Sequence, residues 1–332
     1  MGVKRVRHHA LSPDGKRIAF IWDREGNSDL WLMPADARHW PVRLTFDRPA
    51  RSYWADAQPH WSPDGETLTY AARREIWLVP AAGGRAKKLT DFGHEASGPI
   101  FSPDGTRVYF ISKRGIYGNQ CATTPAGDWP VALTRFEADA SDLRPAPDGQ
   151  SIAFVYHPQD DLNRSEICIV PAKSGEARHL TGAPQVWDLH PRWARDGTRL
   201  AFISNRSGWR ELYLLDPASG ETTRLTPGQA DIQGFEWSPD GKHIAYVVNH
   251  DGAGDLTLLT LEGGEARPLR AAGGWHSFPQ WSPDGKWLTV EFESPQSPPG
   301  IWRVDVASGA AESLTQSLPP TLQTASLQTP QF

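Results

Sequence analysis

A four-residue turn motif, Ser-Pro-Asp-Gly or a near variant, constrains the fold of this chain more than any other feature. It recurs seven times, with its aspartate at Asp14, Asp64, Asp104, Asp148, Asp196, Asp240 and Asp284. The intervals are 50, 40, 44, 48, 44 and 44 residues. Pro presets the φ angle of a type I turn, and Gly accepts the left-handed conformation that follows it. A sequence period in the forties, with β-type sequence around each turn, indicates a repeat architecture with one supersecondary unit per period.

The residues around each turn keep a constant register. In the fifth repeat, the positions three and five residues after the turn glycine are Leu200 and Phe202, and comparable residues recur in all seven repeats. An apolar pair spaced by two residues predicts the buried face of a second strand. A third strand follows, and it opens with an acid in five of the repeats. A fourth strand ends in Leu-Thr in six of the repeats. Each repeat therefore predicts four short strands joined by hairpins.

These repeats predict an all-β fold, a seven-bladed β-propeller of four-stranded antiparallel blades. A solenoid is the alternative for repeats of this length, but repeats made only of strands favour closure into a ring. The first repeat takes all its strands from the N-terminal side and the seventh from the C-terminal side, so we expect the ring to close without strand exchange. Blades one and seven should then meet only through side-chain packing, at the weakest interface. The expected organisation is an N-terminal stub (1–5), the propeller (6–316) and a linker-like tail (317–332).

Composition limits the classes of partner. The 332 residues carry a net charge of -5 with acids and bases well mixed, which argues against nucleic-acid and membrane partners. The 15 Trp, 30 Gly and 29 Pro fit many short strands and tight turns. The two cysteines, Cys121 and Cys168, occupy strand positions and are interpreted as buried thiols. With no apolar leader visible after Met1, we expect a cytoplasmic protein.

The sequence lacks the motifs of the common catalytic and metal centres. It contains no Gly-x-Ser-x-Gly, no Walker loop, no His-Glu-x-x-His and no Cys-x-x-Cys. We therefore expect no catalytic residue, no metal site and no cofactor in this chain.

Acids, histidines and tryptophans are concentrated in the segments that join the fourth strand of one repeat to the first strand of the next. In a propeller these segments share one face, around the mouth of the channel. The predicted binding residues are Trp54, Asp56, His94, Glu95, Asp139, Asp142, Trp187, Asp188, His190, Trp275 and His276. Binding residues favour loops on a rigid scaffold. The alternative is a solvated loop face whose tryptophans wedge between blades.

The Ser-Pro-Asp-Gly, Ile-Ala-Phe and Leu-Thr repeats resemble the PD40 or TolB-like propeller repeat. More closely, the chain resembles the N-terminal propeller of S9 (prolyl oligopeptidase, acylaminoacyl-peptidase-like) serine peptidases. That match rests on Ser204-Asn205-Arg206-Ser207-Gly208 and on the stretch from Leu314 to Pro320. The resemblance implies a gating domain that restricts access to short peptide substrates, with a Ser-Asp-His hydrolase domain following Phe332. It transfers no catalytic residue to this chain.

The sequence is also compatible with two other functions. A TolB-like scaffold would bind a protein partner, and the repeats fit it equally well. A propeller enzyme, such as a lyase or glycosidase, would need acids such as Asp56, Glu95, Asp142 and Asp188 to converge at the channel mouth.

Overall fold

The computed structural model describes residues 5–46, 58–91, 93–113, 117–228, 230–270 and 273–315. These ranges hold 28 strands and no α-helix, and therefore no helix of the length and hydrophobicity needed to span a membrane. The predicted tail and all but Arg5 of the predicted stub lie outside them. The chain forms two compact units, one comprising Met1–Arg48 with Ile232–Phe332 and the other Pro49–Asp231.

The unit Pro49–Asp231 contains the second to fifth repeats, each folded as one antiparallel sheet of four strands. The second repeat forms β5 (His60–Trp61), β6 (Thr67–Ala72), β7 (Glu75–Pro80) and β8 (Lys87–Lys88). The third forms β9 (Glu95–Phe101), β10 (Val108–Lys113), β11 (Asn119–Thr123) and β12 (Val131–Ala132). The fourth forms β13 (Asp139–Pro145), β14 (Ser151–His157), β15 (Glu166–Pro171) and β16 (Arg178–His179). The fifth forms β17 (Asp188–Trp193), β18 (Leu200–Ser204), β19 (Glu211–Leu215) and β20 (Thr222–Arg224).

The other unit contains the first, sixth and seventh repeats. The first forms β1 (Val6–Leu11), β2 (Arg17–Trp22), β3 (Asp29–Pro34) and β4 (Val42–Arg43). The sixth forms β21 (Ile232–Trp237), β22 (His243–His250), β23 (Ala253–Thr260) and β24 (Ala266–Arg270). The seventh forms β25 (Trp275–Trp281), β26 (Trp287–Ser294), β27 (Ser297–Asp305) and β28 (Ala311–Ser313). The prediction of four antiparallel strands per repeat is confirmed.

The recurring turn is held by its own side chains. In the first repeat the Gly15 amide donates to the Ser12 carbonyl at 2.8 Å, and the Ser12 hydroxyl donates to Asp14 Oδ1 at 2.6 Å. Asp14 Oδ1 also accepts from the Lys16 amide. The Ser12 hydroxyl, by this hydrogen bond, holds the pKa of Asp14 below its usual value. The motif is thus a self-contained structure, which explains how it can recur unchanged in different surroundings.

The apolar pair after each turn forms the core of each sheet, as predicted. Every residue three positions after a turn glycine is fully buried, and Phe20, Phe110, Phe154 and Phe202 are fully buried two positions later. The Leu-Thr ending has a polar role that sequence analysis did not identify. The threonine hydroxyl accepts from a third-strand amide, for example from Leu212 to Thr226 at 3.1 Å. It satisfies a backbone donor where the fourth strand ends.

Two pairs of neighbouring sheets are linked through the residue that precedes the acid of the third strand, Glu166 or Asp255. In the fourth repeat the Ser165 amide donates to Val186 O at 3.1 Å, and Ser165 and Trp187 form an isolated parallel bridge. In the sixth repeat the corresponding bridge, from Gly254 to Trp275, joins the sixth and seventh repeats into one eight-stranded sheet. Each of these two repeats keeps its own four antiparallel strands, and a single residue pair links them. A Cβ at Gly254 would lie 3.1 Å from the His276 amide nitrogen, so the missing side chain permits the close approach.

The first and seventh repeats meet without a β-ladder in the described residues, so no strand is exchanged between them. Their contact is nevertheless more polar than predicted. The Leu11 amide donates to Gln280 Oε1 at 2.8 Å, and Gln280 Nε2 donates to His9 O at 2.7 Å. His9 also contacts Thr289 Oγ1 at 3.0 Å. A side chain of the seventh repeat therefore hydrogen-bonds to backbone groups of β1 in the first repeat.

Candidate binding site on the first strands

The predicted binding residues lie at the start of first strands and not in loops. Glu95, Asp139, Asp188 and Trp275 begin β9, β13, β17 and β25, and His94 and Trp187 immediately precede a strand. Trp54 and Asp56 lie outside the described residues. Counted back from the turn aspartate, the remaining predicted residues fall into a few equivalent positions. Each position has its own surroundings.

Eight residues before the turn aspartate, Asp188 and His276 are fully buried in the contact between neighbouring repeats. The Asp188 carboxylate accepts from Arg206 Nη2 at 2.9 and 3.0 Å. His276 Nδ1 donates to the Gly254 carbonyl at 2.6 Å. Burial lowers the pKa of His276, which keeps the ring neutral. The Asp188 side chain therefore holds two segments of the fifth repeat together, whereas His276 links the seventh repeat to the sixth.

Nine residues before the turn aspartate, Asp139 and Glu95 contact the preceding repeat, and Trp187 contacts its own repeat. Asp139 Oδ1 accepts from the Gly118 amide at 2.7 Å. The Arg210 guanidinium lies 5.9 Å from the ring centroid of Trp187, and an Arg74 nitrogen lies 3.7 Å from Glu95 Oε2 in an exposed ion pair. These contacts favour the structural interpretation of this position. Trp275 is half-buried, and exposed His94 lines a cavity of about 590 Å³ beside Trp129.

Six residues before the turn aspartate, Asp142 and His190 meet each other. Both stand at a β-bulge in the first strand, with φ angles of 51° and 56°. Bulges redirect side chains and are common beside functional sites. His190 Nδ1 lies 2.9 Å from Asp142 Oδ2. Of the predicted residues that the structure describes, this pair is the one brought into direct side-chain contact.

Two arginines complete the cluster. Arg144 Nη2 lies 2.7 Å and Arg192 Nη1 3.2 Å from Asp142 Oδ1. The side chains of Asp142, Arg144 and Arg192 are 16%, 20% and 20% exposed, and His190 is 40% exposed. The group therefore forms a partly buried polar surface that solvent can reach, with His190 at its open side. We call these four residues the inner-strand cluster.

Charge controls the protonation of this cluster. Burial alone would raise the pKa of Asp142, but Arg144, Arg192 and His190 hold it well below its usual value. His60, on β5 of the same unit, is the fifth titratable group near them. Burial first, and then the charges of Arg144 and Arg192, lower the pKa of His60 to about 3. At neutral pH the carboxylate is ionised and the His60 imidazole is neutral.

The inner-strand cluster is suited to binding and not to covalent catalysis. It pairs two guanidiniums with one carboxylate and contains no Ser or Cys nucleophile. Partly buried arginines are good ligands for carboxylates because their charge and planar donors match them. Sequence analysis missed Arg144, Arg192 and His60, all four residues before their turn aspartate. Their shared position relative to the turn was the sequence feature that could have identified them.

The described residues hold one group of potential metal ligands, and it lies apart from this cluster. Glu166, Cys168 and His179 place one ligand atom each within 4.8 Å of one another.

Comparison with known proteins places the repeats in a defined class. Residues 178–299 match the family described as the dipeptidyl peptidase IV N-terminal region. A TolB homologue from Chlorobium luteolum is 36% identical over 33% of this chain and 24% of its own length. The chain is thus similar to TolB-like propellers and to the N-terminal propellers of S9 peptidases, which confirms the resemblance seen in the repeats.

Two solved structures share the fold. A puromycin-hydrolysing peptidase from Mycobacterium tuberculosis superposes with a TM-score of 0.82 at 17% identity, covering 98% of this chain and 56% of that chain. An oligogalacturonate lyase from Vibrio parahaemolyticus superposes with a TM-score of 0.74 at 15% identity, covering 92% and 90%. At these identities the likeness concerns the fold alone. The chain spans about half the length of the peptidase.

Proposed function

We propose that this chain is a seven-bladed propeller, closed without strand exchange, that serves as the non-catalytic access domain of an S9-type serine peptidase. The observation that carries the proposal is the match to the dipeptidyl peptidase IV N-terminal region. It is supported by the superposition on the Mycobacterium tuberculosis peptidase, which covers 56% of that protein's chain. The hydrolytic nucleophile would then lie in a separate α/β-hydrolase domain, and the substrates would be peptides.

Contacts between neighbouring turns support closure of the ring. In three repeats a Cβ at the turn glycine would contact the turn proline of the repeat before it: Gly105 with Pro63, Gly197 with Pro147 and Gly285 with Pro239. Gly15 of the first repeat faces Pro283 of the seventh in the same way. The first repeat thus meets the seventh as it would meet a preceding repeat.

We assign the selection of peptides to the inner-strand cluster. In unit Pro49–Asp231 the first strands of successive repeats lie beside one another, so β13 and β17 together present Asp142, Arg144, His190 and Arg192. The two guanidiniums of this surface favour peptides that offer a free carboxylate over amidated ones. The neutral His60 nearby adds no competing charge.

The test begins with the complete reading frame that contains this sequence. Its product and the 332-residue chain are each treated with a serine-reactive fluorophosphonate and assayed with short peptides. We expect labelling and hydrolysis with the longer product alone, because residues 1–332 contain no nucleophile motif. Labelling of the isolated chain at a serine, with peptide cleavage, would refute the proposal.

The role of the cluster is tested in the same product with Arg192→Ala. We expect kcat/KM to fall about tenfold or more for a peptide with a free carboxylate and to stay near the wild-type value for its amide, since a charge-assisted hydrogen bond contributes about 1.5–3 kcal/mol. Arg38→Ala is the matched control, because Arg38 is 81% exposed and pairs with Asp36 on the surface. Equal losses for both peptides would refute charge selection while leaving the access-domain proposal standing.

A TolB-like binding scaffold is the second candidate. It is favoured by the 36% identity to the Chlorobium TolB homologue, higher than the identity to the solved peptidase. A reading frame without a hydrolase domain, and no fluorophosphonate labelling, would favour this function.

A further inference from the structure

The fourth repeat brings three different metal-ligating side chains together on one sheet. Glu166 and Cys168 lie two residues apart on β15, and Cys168 pairs directly with His179 on β16. Cys168 Sγ lies 3.3 Å from His179 Nδ1, and Glu166 Oε2 lies 2.6 Å from the same nitrogen. We propose that Glu166, Cys168 and His179 form a binding site for a thiophilic divalent transition-metal ion such as Zn²⁺.

Comparison of equivalent positions shows that the fourth repeat departs from the others in a specific way. The first and fifth repeats place an acid, an aromatic two residues later and an arginine across from the aromatic. The acid and the arginine form ion pairs, Asp29 with Arg43 at 2.6 Å and Glu211 with Arg224 at 3.6 Å.

In the fourth repeat the acid is retained as Glu166, while the aromatic is Cys168 and the cation is His179. Both departures introduce a residue that binds transition metals. One such change would be unremarkable, because a buried cysteine is a common small apolar residue. Here the two changes occur at directly paired positions, Cys168 and His179, beside the carboxylate of Glu166. A metal site requires ligands that are grouped in this way.

The distances suit one ion with small adjustments. With bond lengths of about 2.3 Å to sulfur and 2.0–2.1 Å to nitrogen and oxygen, tetrahedral ligands lie about 3.3–3.6 Å apart. The Sγ to Nδ1 distance of 3.3 Å already fits. The Nδ1 to Oε2 distance, 2.6 Å, must open by roughly 0.7 Å. The half-exposed His179 ring can make this movement, since its side chain is 47% exposed.

Charge and access also fit a divalent cation. Binding would move the thiol proton to solvent, leaving a thiolate and a carboxylate to neutralise the ion. His179 would ligate through Nδ1 as the tautomer with its proton on Nε2. Arg164 Nε lies 3.0 Å from Glu166 Oε1, which leaves Oε2 for the metal. Water would supply the fourth ligand at the exposed side.

The test is titration of the untagged, chelator-treated chain with Co²⁺. We expect a thiolate-to-cobalt charge-transfer band that saturates at one ion per chain, its displacement by Zn²⁺, and release of one proton per ion. Cys168→Ser should abolish the band. His179→Arg should weaken Co²⁺ binding about tenfold or more, while restoring the acid–arginine pair of the fifth repeat so that folding is preserved.

Cys121→Ser is the matched control, because Cys121 occupies the same position in the third repeat opposite Ala132, which cannot ligate a metal. It should bind Co²⁺ as the wild type does. The proposal is overturned if the wild type shows no charge-transfer band, or if the band survives Cys168→Ser or is lost in Cys121→Ser. A far-ultraviolet circular dichroism spectrum unchanged in His179→Arg separates loss of the site from loss of the fold.

Discussion

The contact between the first and seventh repeats can be measured through two equivalent glycines. Gly15 and Gly241 each end a Ser-Pro-Asp-Gly turn, with nearly equal φ angles of 73° and 69°. A Cβ added at Gly15 would lie 2.6 Å from Pro283 Cδ, whereas a Cβ at Gly241 would meet nothing within 4 Å. The two alanine variants therefore share a backbone cost and differ in one contact between repeats.

The expected free energies of unfolding follow from these two components. Placing an L-residue in the left-handed region costs about 1–2 kcal/mol, which applies to both variants. Carbon atoms pack at about 3.5–4.0 Å, so at Gly15 the proline ring must move by roughly 1 Å. Overpacking of this kind adds about 1–3 kcal/mol. We expect Gly15→Ala to cost about 2–5 kcal/mol and Gly241→Ala about 1–2 kcal/mol.

Urea unfolding followed by tryptophan fluorescence measures both values. A double-mutant cycle with Pro283→Ala should remove the excess cost of Gly15→Ala, since the ring that causes it is then absent. Costs for Gly15→Ala and Gly241→Ala that agree within about 0.5 kcal/mol would refute the reasoning. They would mean that the first and seventh repeats are not packed at Pro283.

Three further predictions concern single polar residues. Gln120→Leu should raise the free energy of unfolding by about 1–3 kcal/mol, because the fully buried amide finds no hydrogen-bond partner among the described residues and the equivalent residues in the other repeats are Leu or Ile. His60→Gln should reduce the slope with which the free energy of unfolding falls on acidification. The pKa of His60 is about 3 in the folded protein, so the wild type takes up a proton on unfolding between about pH 6.5 and 3. This uptake lowers its free energy of unfolding by up to about 1.4 kcal/mol per pH unit. His250→Gln, at an exposed position, should leave that slope unchanged. Asp142→Asn should lower the free energy of unfolding by about 1.5–3 kcal/mol near neutral pH. This difference from the wild type should shrink below about pH 4, because the lowered pKa of Asp142 gives stability that is lost only as the carboxyl protonates.

Each of these has a clear contrary result. No gain for Gln120→Leu would mean that the amide is satisfied in solution, and chemical denaturation at pH 7 decides it. Parallel stability curves for wild type and His60→Gln between pH 6.5 and 4.5 would show that His60 is not protected from protonation. A pH-independent cost for Asp142→Asn would show that its charge does not stabilise the fold.

The local architecture of each repeat was predictable from the sequence because its causes are local. The turn is held by hydrogen bonds between residues two to five positions apart, as Ser12, Asp14 and Arg17 show. The buried pair after it, such as Leu200 and Phe202, follows from the two-residue alternation of a strand. Joining of the sixth and seventh repeats was not predictable, since it depends on how closely the backbone at Gly254 approaches the next strand.

The candidate site was predictable only in part. Asp142 and His190 were predicted as members of a loop face, but sequence alone could not separate them from Asp188 and His276, which are fully buried between repeats. All four are polar residues of the kind that binds ligands. Their difference lies in the bulge at which Asp142 and His190 stand, where their side chains meet each other.

The sequence by itself determined the repeat, its turns, its strand register and the buried core of each sheet, because these depend on interactions between residues close in the chain. Only the tertiary structure decided which polar residues meet. Asp142 and His190 come from different repeats, and Cys168 and His179 from different strands. Contacts of this kind depend on the alignment of whole strands, which no short segment of the sequence specifies.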